Sequence, residues 1–314
     1  MLKIYSYFAL ILINNLDATS RKSKNDSVND LSDFVPRVVN GWPAKLGDVP
    51  YQIAFKKLIR RPRTYATFCG GTITSPTILL SAAHCFCHEE KNICLKICGG
   101  ALRKKSLLNM AAVAGNLRNR GDYSEVDTTE QGQWRRLQSV VYPSTYKFPK
   151  DDIAIVWTRT PFIFNSYVSP IPIARKYADY VGKCLVSGFG RISRTNSSDK
   201  LLQAHLELIP ARRCNRLHRK NMRRLICTSS AFSDVGKGDS GGPLVCTNTG
   251  DPNEVGGKGI LVGVVSGHRY GSGSFFTRVS SYYKYIERGK CSIYELDIRL
   301  LYLIMTIHGN LLLF

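Results

Sequence analysis

The stretch Phe68–Cys85 reads FCGGTITSPTILLSAAHC. Short β-branched and aliphatic runs lie on either side of a Ser-Pro turn signal, and a histidine and a cysteine close the segment. The same rhythm recurs along the chain in YQIAF, DIAIVW, KCLVSGFG, PLVC, GILVGVVSG and FFTRV, with Gly, Pro and Asn between the runs. Such spacing predicts an all-β barrel or sandwich. Only SSYYKYIER, near the end, reads as helix, with Ser280 or Ser281 as its N-cap. No internal repeat is evident.

Working outward, the 314 residues suit one large domain or two small ones, and 44% hydrophobic residues are enough for a sizeable core and too many for a disordered chain. Ten cysteines, several closely spaced, point to disulfides and an oxidising compartment. Lys3 followed by the apolar run Ile4–Ile13 and the small Ala18 predicts a signal peptide over residues 1–18, because the run is too short to span a bilayer. Residues 19–37 are polar, charged and free of cysteine, as expected of a flexible pro-segment; the folded domain is expected over 38–290. The tail, 291–314, ends in an apolar stretch broken by His308, Gly309 and Asn310, and no membrane span is expected there. Its role is not legible.

Three short motifs carry chemistry. GDSGGP, Gly238–Pro243, sets a serine among glycines on a tight turn, where the N–H groups of Gly238 and Ser240 can point at one carbonyl oxygen. SAAHC, Ser81–Cys85, sets His84 between small residues and a cysteine. DDIAIV, Asp151–Val156, puts an acid at the head of a buried strand. A serine hydroxyl near neutral pH needs an adjacent base, a histidine can take and return its proton, and a buried carboxylate can orient that histidine.

Together these motifs resemble the trypsin/chymotrypsin family of serine proteases, over roughly Val38–Ile286. The resemblance implies two six-stranded antiparallel β-barrels with a C-terminal helix and a site in the cleft between them. It implies His84, Asp152 and Ser240 as the catalytic residues, with an oxyanion hole from the Gly238 and Ser240 N–H groups. Asp152, directly before Ile-Ala, matches the family acid, and Asp151 is expected to be a solvated neighbour. Arg37-Val38-Val39-Asn40-Gly41 resembles the family's activation junction, so cleavage after Arg37 would free the Val38 ammonium to insert beside Asp239. Asp234, six positions before Ser240, matches the base of the primary pocket and implies cleavage after Arg or Lys. The family comparison also pairs Cys69 with Cys85, Cys184 with Cys246 and Cys214 with Cys227. Cys87, Cys94, Cys98 and Cys291 are left for further bridges, with zinc at Cys87, Cys94, Cys98 and His88 the weaker alternative.

The chain also departs from the family pattern. Gly236 replaces a cysteine usual near the pocket, and its partner is missing too. Ser266-Gly267-His268 stands where Ser-Trp-Gly is usual, and Ser274 stands where a pocket glycine is usual. Ser266, His268, Ser274 and Lys237 are therefore read as substrate-binding positions able to narrow the pocket or alter its charge. The net charge is +21, and Lys56–Arg63, expected on an exposed loop, and Arg212–Arg224 are two dense basic clusters. These clusters suit a sulfated glycan or another polyanion. No nucleic-acid recognition motif, cofactor motif or metal set is evident. Asn196-Ser197-Ser198 fits a glycosylation sequon in a polar loop. The expectation is thus a secreted, extracellular endopeptidase, made as a zymogen that an activating protease cuts, acting on protein or peptide substrates. The alternative is a catalytically silent homologue that binds a protein or polyanion through its basic surface.

Overall fold

The computed structural model describes residues 41–60, 63–88, 93–94, 107–192, 196–229, 235–269 and 272–289. Arg37, Val38, Asp234, Cys98, Cys291, the signal peptide, the pro-segment and the tail lie outside the described residues.

Sixteen strands are formed by the described residues: β1 (Trp42–Pro43), β2 (Gln52–Arg60), β3 (Arg63–Ile73), β4 (Ile78–Ser81), β5 (Cys87–His88), β6 (Ile93–Cys94), β7 (Met110–Ala114), β8 (Arg120–Gly121), β9 (Gln133–Val141), β10 (Ala154–Thr158), β11 (Gly182–Gly188), β12 (Leu202–Ile209), β13 (Leu225–Thr228), β14 (Pro243–Cys246), β15 (Ile260–Arg269) and β16 (Gly273–Arg278). Six of them run β2-β7-β9-β10-β4-β3 and close through β2–β3, with β8 appended to β3. Another six run β12-β11-β14-β15-β16-β13 and close through β12–β13, with β1 appended to β12. Every pairing within them is antiparallel. The fold is two closed six-stranded antiparallel β-barrels, the chymotrypsin-like arrangement, and closure removes the exposed edges that an open sheet would carry.

The strands bury two main clusters of apolar side chains. Ile53, Phe55, Ile73, Leu79, Leu80, Leu137 and Ile155 fill the first barrel, and Val186, Leu206, Val262 and Phe276 fill the second. Ala154–Thr158 is buried along its whole length, because β10 is covered on both faces. Helical residues 283–289 follow a 3-10 turn, Val279–Tyr282, and Tyr282 and Ile286 pack onto the first barrel's core.

Three features differ from expectation. A helix, α1 (Ala211–His218), forms within the basic cluster, where the sequence showed no capping residue. Its first N–H is capped from a distance instead, by the Asp179 carboxylate at 3.0 and 3.1 Å. Lys56 is not on an exposed loop: it lies in β2, wholly buried, with Nζ donating to the Arg118 carbonyl at 2.7 Å and lying 5.1 Å from the Trp134 ring centre. Asp151 is not solvated either; it is 3% exposed.

Candidate active site

Asp152 enters β10 fully buried, and a buried carboxylate is tolerated only when its oxygens are hydrogen-bonded. His84 supplies two of those bonds from the 3-10 turn Ala83–Cys85 that follows β4. Its backbone N–H donates to Oδ1 at 2.9 Å, and its ring Nδ1 lies 2.8 Å from Oδ2. The pairing β10–β4, with Ala154 opposite Ser81, sets these two segments side by side. Ser266, on β15 of the second barrel, donates its hydroxyl to Oδ2 at 2.5 Å, and Thr277 on β16 donates to the Asp152 carbonyl at 2.7 Å. Ionised Asp152 can only accept, so Nδ1 carries the proton in neutral His84 and Nε2 is left as a lone pair. The imidazole is a quarter exposed, and the Phe148 ring meets it edge-on at 5.7 Å.

Ser240 lies on a turn that the two barrels hold jointly. Its carbonyl accepts from Gly70 N on β3 at 2.7 Å, and Gly241 N donates to Val265 O on β15 at 2.8 Å. The disulfide Cys69–Cys85 runs beside it, joining the residue before Gly70 to the residue after His84. Gly241 has φ +79°, and a Cβ there would sit 2.2 Å from Ser81 Oγ, so only glycine lets this turn approach the His84 segment so closely. No hydrogen bond joins the Ser240 hydroxyl to His84 among the described residues. Such contacts are often long in free enzymes and tighten with substrate.

Gly238, with φ +110°, precedes Asp239 in the same turn. Asp239 is fully buried and accepts from Gly190 N at 2.7 Å and Gly236 N at 2.8 Å. Its carboxylate presses onto Gly188 and Gly190, where a Cβ would fall 2.1 and 2.2 Å from its oxygens. Among the described residues, neither the Gly238 N–H nor the Ser240 N–H is spent on an internal partner. Two neighbouring donors left unspent suit an external oxyanion.

The remaining expected positions fall into two groups. Val235, which follows Asp234, donates its N–H to Ser274 Oγ at 3.4 Å, and that oxygen is 3.5 Å from His268 Nδ1. His268 and Ser274 face each other across β15 and β16, and Ser274 is buried. Gly267 faces the Phe148 and Phe275 rings, which fill the space a larger residue would need. Lys237 is exposed and its carbonyl accepts from Arg191 N. Asn196 is exposed. Disulfides also join Cys184 to Cys246 and Cys214 to Cys227. Cys87 is disulfide-bonded and lies opposite Cys94 across the β5–β6 pair, so it has no thiolate for zinc. The sets Cys69–His84–Cys85 and Cys214–His218–Cys227 bring possible ligand atoms within 4.8 Å, but their cysteines are likewise oxidised.

Sequence reasoning missed Phe148, Thr277, Gly188 and Gly190, and gave Ser266 no part in holding Asp152. Each acts through a contact far along the chain.

The Trypsin family model matches residues 38–286 of this chain. Transmembrane protease serine 7 of Mus musculus is 31% identical over 271 residues, covering 82% of this chain and 29% of that protein. Transmembrane protease serine 9 of Rattus norvegicus is 29% identical over 241 residues, covering 74% of this chain and 20% of that protein. Coagulation factor IX of Oryctolagus cuniculus is 28% identical over 270 residues, covering 80% of this chain and 84% of that protein. The chain thus spans less than a third of the length of the two transmembrane relatives. Among the described residues, no helix is long and apolar enough to cross a membrane.

Proposed function

This chain belongs to the trypsin family of serine proteases, and from that premise we propose a secreted endopeptidase, activated by cleavage after Arg37, that hydrolyses peptide bonds following Arg or Lys. The observation that carries the reading is the buried Asp152 carboxylate bonded to His84 Nδ1 at 2.8 Å, beside a Ser240 turn whose two N–H donors are unspent.

In this reading Ser240 Oγ attacks the scissile carbonyl as His84 Nε2 takes its proton. The carbonyl oxygen becomes an oxyanion and is received by the Gly238 and Ser240 N–H groups. Removing one such donor in other enzymes costs about 3–4 kcal/mol of transition-state stabilisation. His84 then returns the proton to the leaving amine, and the acyl group stays on Ser240 until water, deprotonated by the same imidazole, releases it. Asp152 stays ionised and stabilises the imidazolium in both halves of the reaction. Asp234 would pair with the cationic side chain that precedes the cut, and the Val38 ammonium would join Asp239 after activation; the burial of Asp239 gives such a partner a strong electrostatic reason to stay. Secretion is supported by the disulfides and by the apolar run Ile4–Ile13. Exposed Arg212, Arg213, Arg216, Arg219, Lys220 and Arg223 support attraction to a polyanion, read as salt-dependent retention on a sulfated-glycan column. Retention unchanged by salt would refute that part.

The test uses protein cleaved after Arg37, a serine-directed covalent probe, and Arg-, Lys- and Phe-based reporter substrates, with Ser240→Ala as control. Labelling of the wild type alone, with Arg or Lys turnover, is expected. An unlabelled wild type defeats the enzyme reading, and turnover of the Phe substrate alone defeats the role given to Asp234.

A further inference from the structure

We propose that Asp151, an acid outside the three catalytic side chains, is a positioning residue that sets Asp152 against His84; the inference rests on the serine-protease reading above. Asp151 has φ +56°, a left-handed backbone at a non-glycine residue, and the very next residue is Asp152. Such a conformation costs about 1–3 kcal/mol and persists only where surrounding contacts enforce it. Here three side chains from three separate segments do so. Thr145 Oγ1 donates to Oδ2 at 2.6 Å, Tyr282 OH donates to Oδ1 at 2.8 Å, and Arg224 Nη1 donates to Oδ1 at 2.8 Å. Burial alone would push the Asp151 carboxyl up, but these hydrogen bonds outweigh it and hold the group below its ordinary value.

The consequence for Asp152 is geometric. Asp151 is a left-handed turn residue, so its dihedrals set the direction in which the chain enters Asp152. With Asp151 anchored toward Tyr282 and Arg224, Asp152 is directed toward His84. The turn is closed by Ile153 N donating to the Asp151 carbonyl at 3.0 Å, so the dihedrals at Asp151 govern where both Asp152 oxygens fall. Those oxygens must meet two donors of one residue, His84 N and Nδ1, at 2.9 and 2.8 Å. A swing at Asp151 would break this double contact even with Ser266 and Thr277 in place. Arg224 also has an electrostatic task. Two carboxylates are consecutive in the chain and both are buried, and its guanidinium neutralises the outer one. Arg224 itself is 61% exposed, and its backbone is fixed by Arg278 N donating to its carbonyl.

The test compares wild type, Asp151→Ala, Asp151→Asn and Arg224→Gln after activation, each normalised to probe-reactive sites. Turnover and the low-field proton resonance of the His84–Asp152 bond are both recorded. Asp151→Ala is expected to lower kcat about tenfold or more with KM within about twofold, because misplacing a catalytic group costs rate rather than binding. Its low-field proton should move upfield and exchange faster. Asp151→Asn keeps the shape and an acceptor oxygen, and is expected to recover kcat to within about threefold of wild type. Arg224→Gln changes an exposed side chain and so should fold even if Asp151→Ala does not; it should lower kcat about threefold and shift the same resonance. Unchanged kcat and an unchanged resonance in the folded variants would overturn the inference while leaving the serine-protease reading intact. Failure of the wild type to label would overturn both.

Discussion

Lys56 offers a sharp physical test, because its amine is wholly enclosed by the first barrel. Burial pushes it down from 10.5 to about 7, against the opposing help of the Arg118 carbonyl at 2.7 Å. In the unfolded chain the amine titrates near 10.4. Below pH 7 both states hold the proton and the folded state bears the full penalty of a buried ammonium. Between about 7 and 10.5 the unfolded chain binds more protons than the folded one, so stability climbs with pH, by up to about 1.4 kcal/mol per unit. Above that window neither state is charged at this site, and the effect levels off. The whole gap corresponds to something on the order of 5 kcal/mol, and the part released between pH 7 and 9 is about 2 kcal/mol. Lys56→Met removes the titration while keeping an unbranched apolar stem. Urea unfolding of both proteins with disulfides intact, at intervals from pH 6 to pH 9.5, isolates this one group. The wild type is expected to gain about 2 kcal/mol on the variant from pH 7 to 9. A stability difference that stays flat, or that narrows in the opposite sense, would refute the burial argument.

Two further substitutions probe the Ser240 turn and the Asp152 carboxylate. Gly190→Ala places a methyl 2.2 Å from Asp239 Oδ2, so Asp239 must move and carry the Gly238 and Ser240 N–H groups with it; kcat/KM measured per folded molecule should fall about 100-fold, the scale of losing an oxyanion donor. Ser266→Ala removes the 2.5 Å bond to Asp152 Oδ2. It should lower unfolding free energy by about 1.5–3 kcal/mol in a denaturant titration, while kcat drops less than about tenfold because both His84 contacts remain.

Much of the barrel architecture was visible in strand patterning, because burial writes a hydrophobic rhythm into short segments. YQIAF, ILLS and AIVW all became strands, and the SSYYKYIER segment became the turn and helix that close the described chain. What escaped notice depended on distant partners. Helix α1 lacks a local capping side chain since Asp179 supplies it from thirty-two positions earlier in the chain. Lys56 resembles its exposed neighbours in composition, yet it is buried in β2 at a break in the ladder register between Phe55 and Lys56, while Lys57 faces out. Asp151 looks redundant beside Asp152, and only Thr145, Tyr282 and Arg224 reveal its setting. The site followed the same division: motifs pointed to His84, Asp152 and Ser240, while the glycine floor under Asp239 and the Phe148 ring became apparent only in three dimensions.

The bond from Gly70 to the Ser240 carbonyl means that the alcohol proposed as nucleophile belongs to one half of the chain by sequence and is registered by the other. Neither half could be competent alone: a fragment ending before β11 would lack the alcohol, and one beginning there would present it on a turn without its anchor. Turnover would therefore serve as a stringent reporter of correct assembly, falling silent when the two lobes separate even if each kept its own secondary structure.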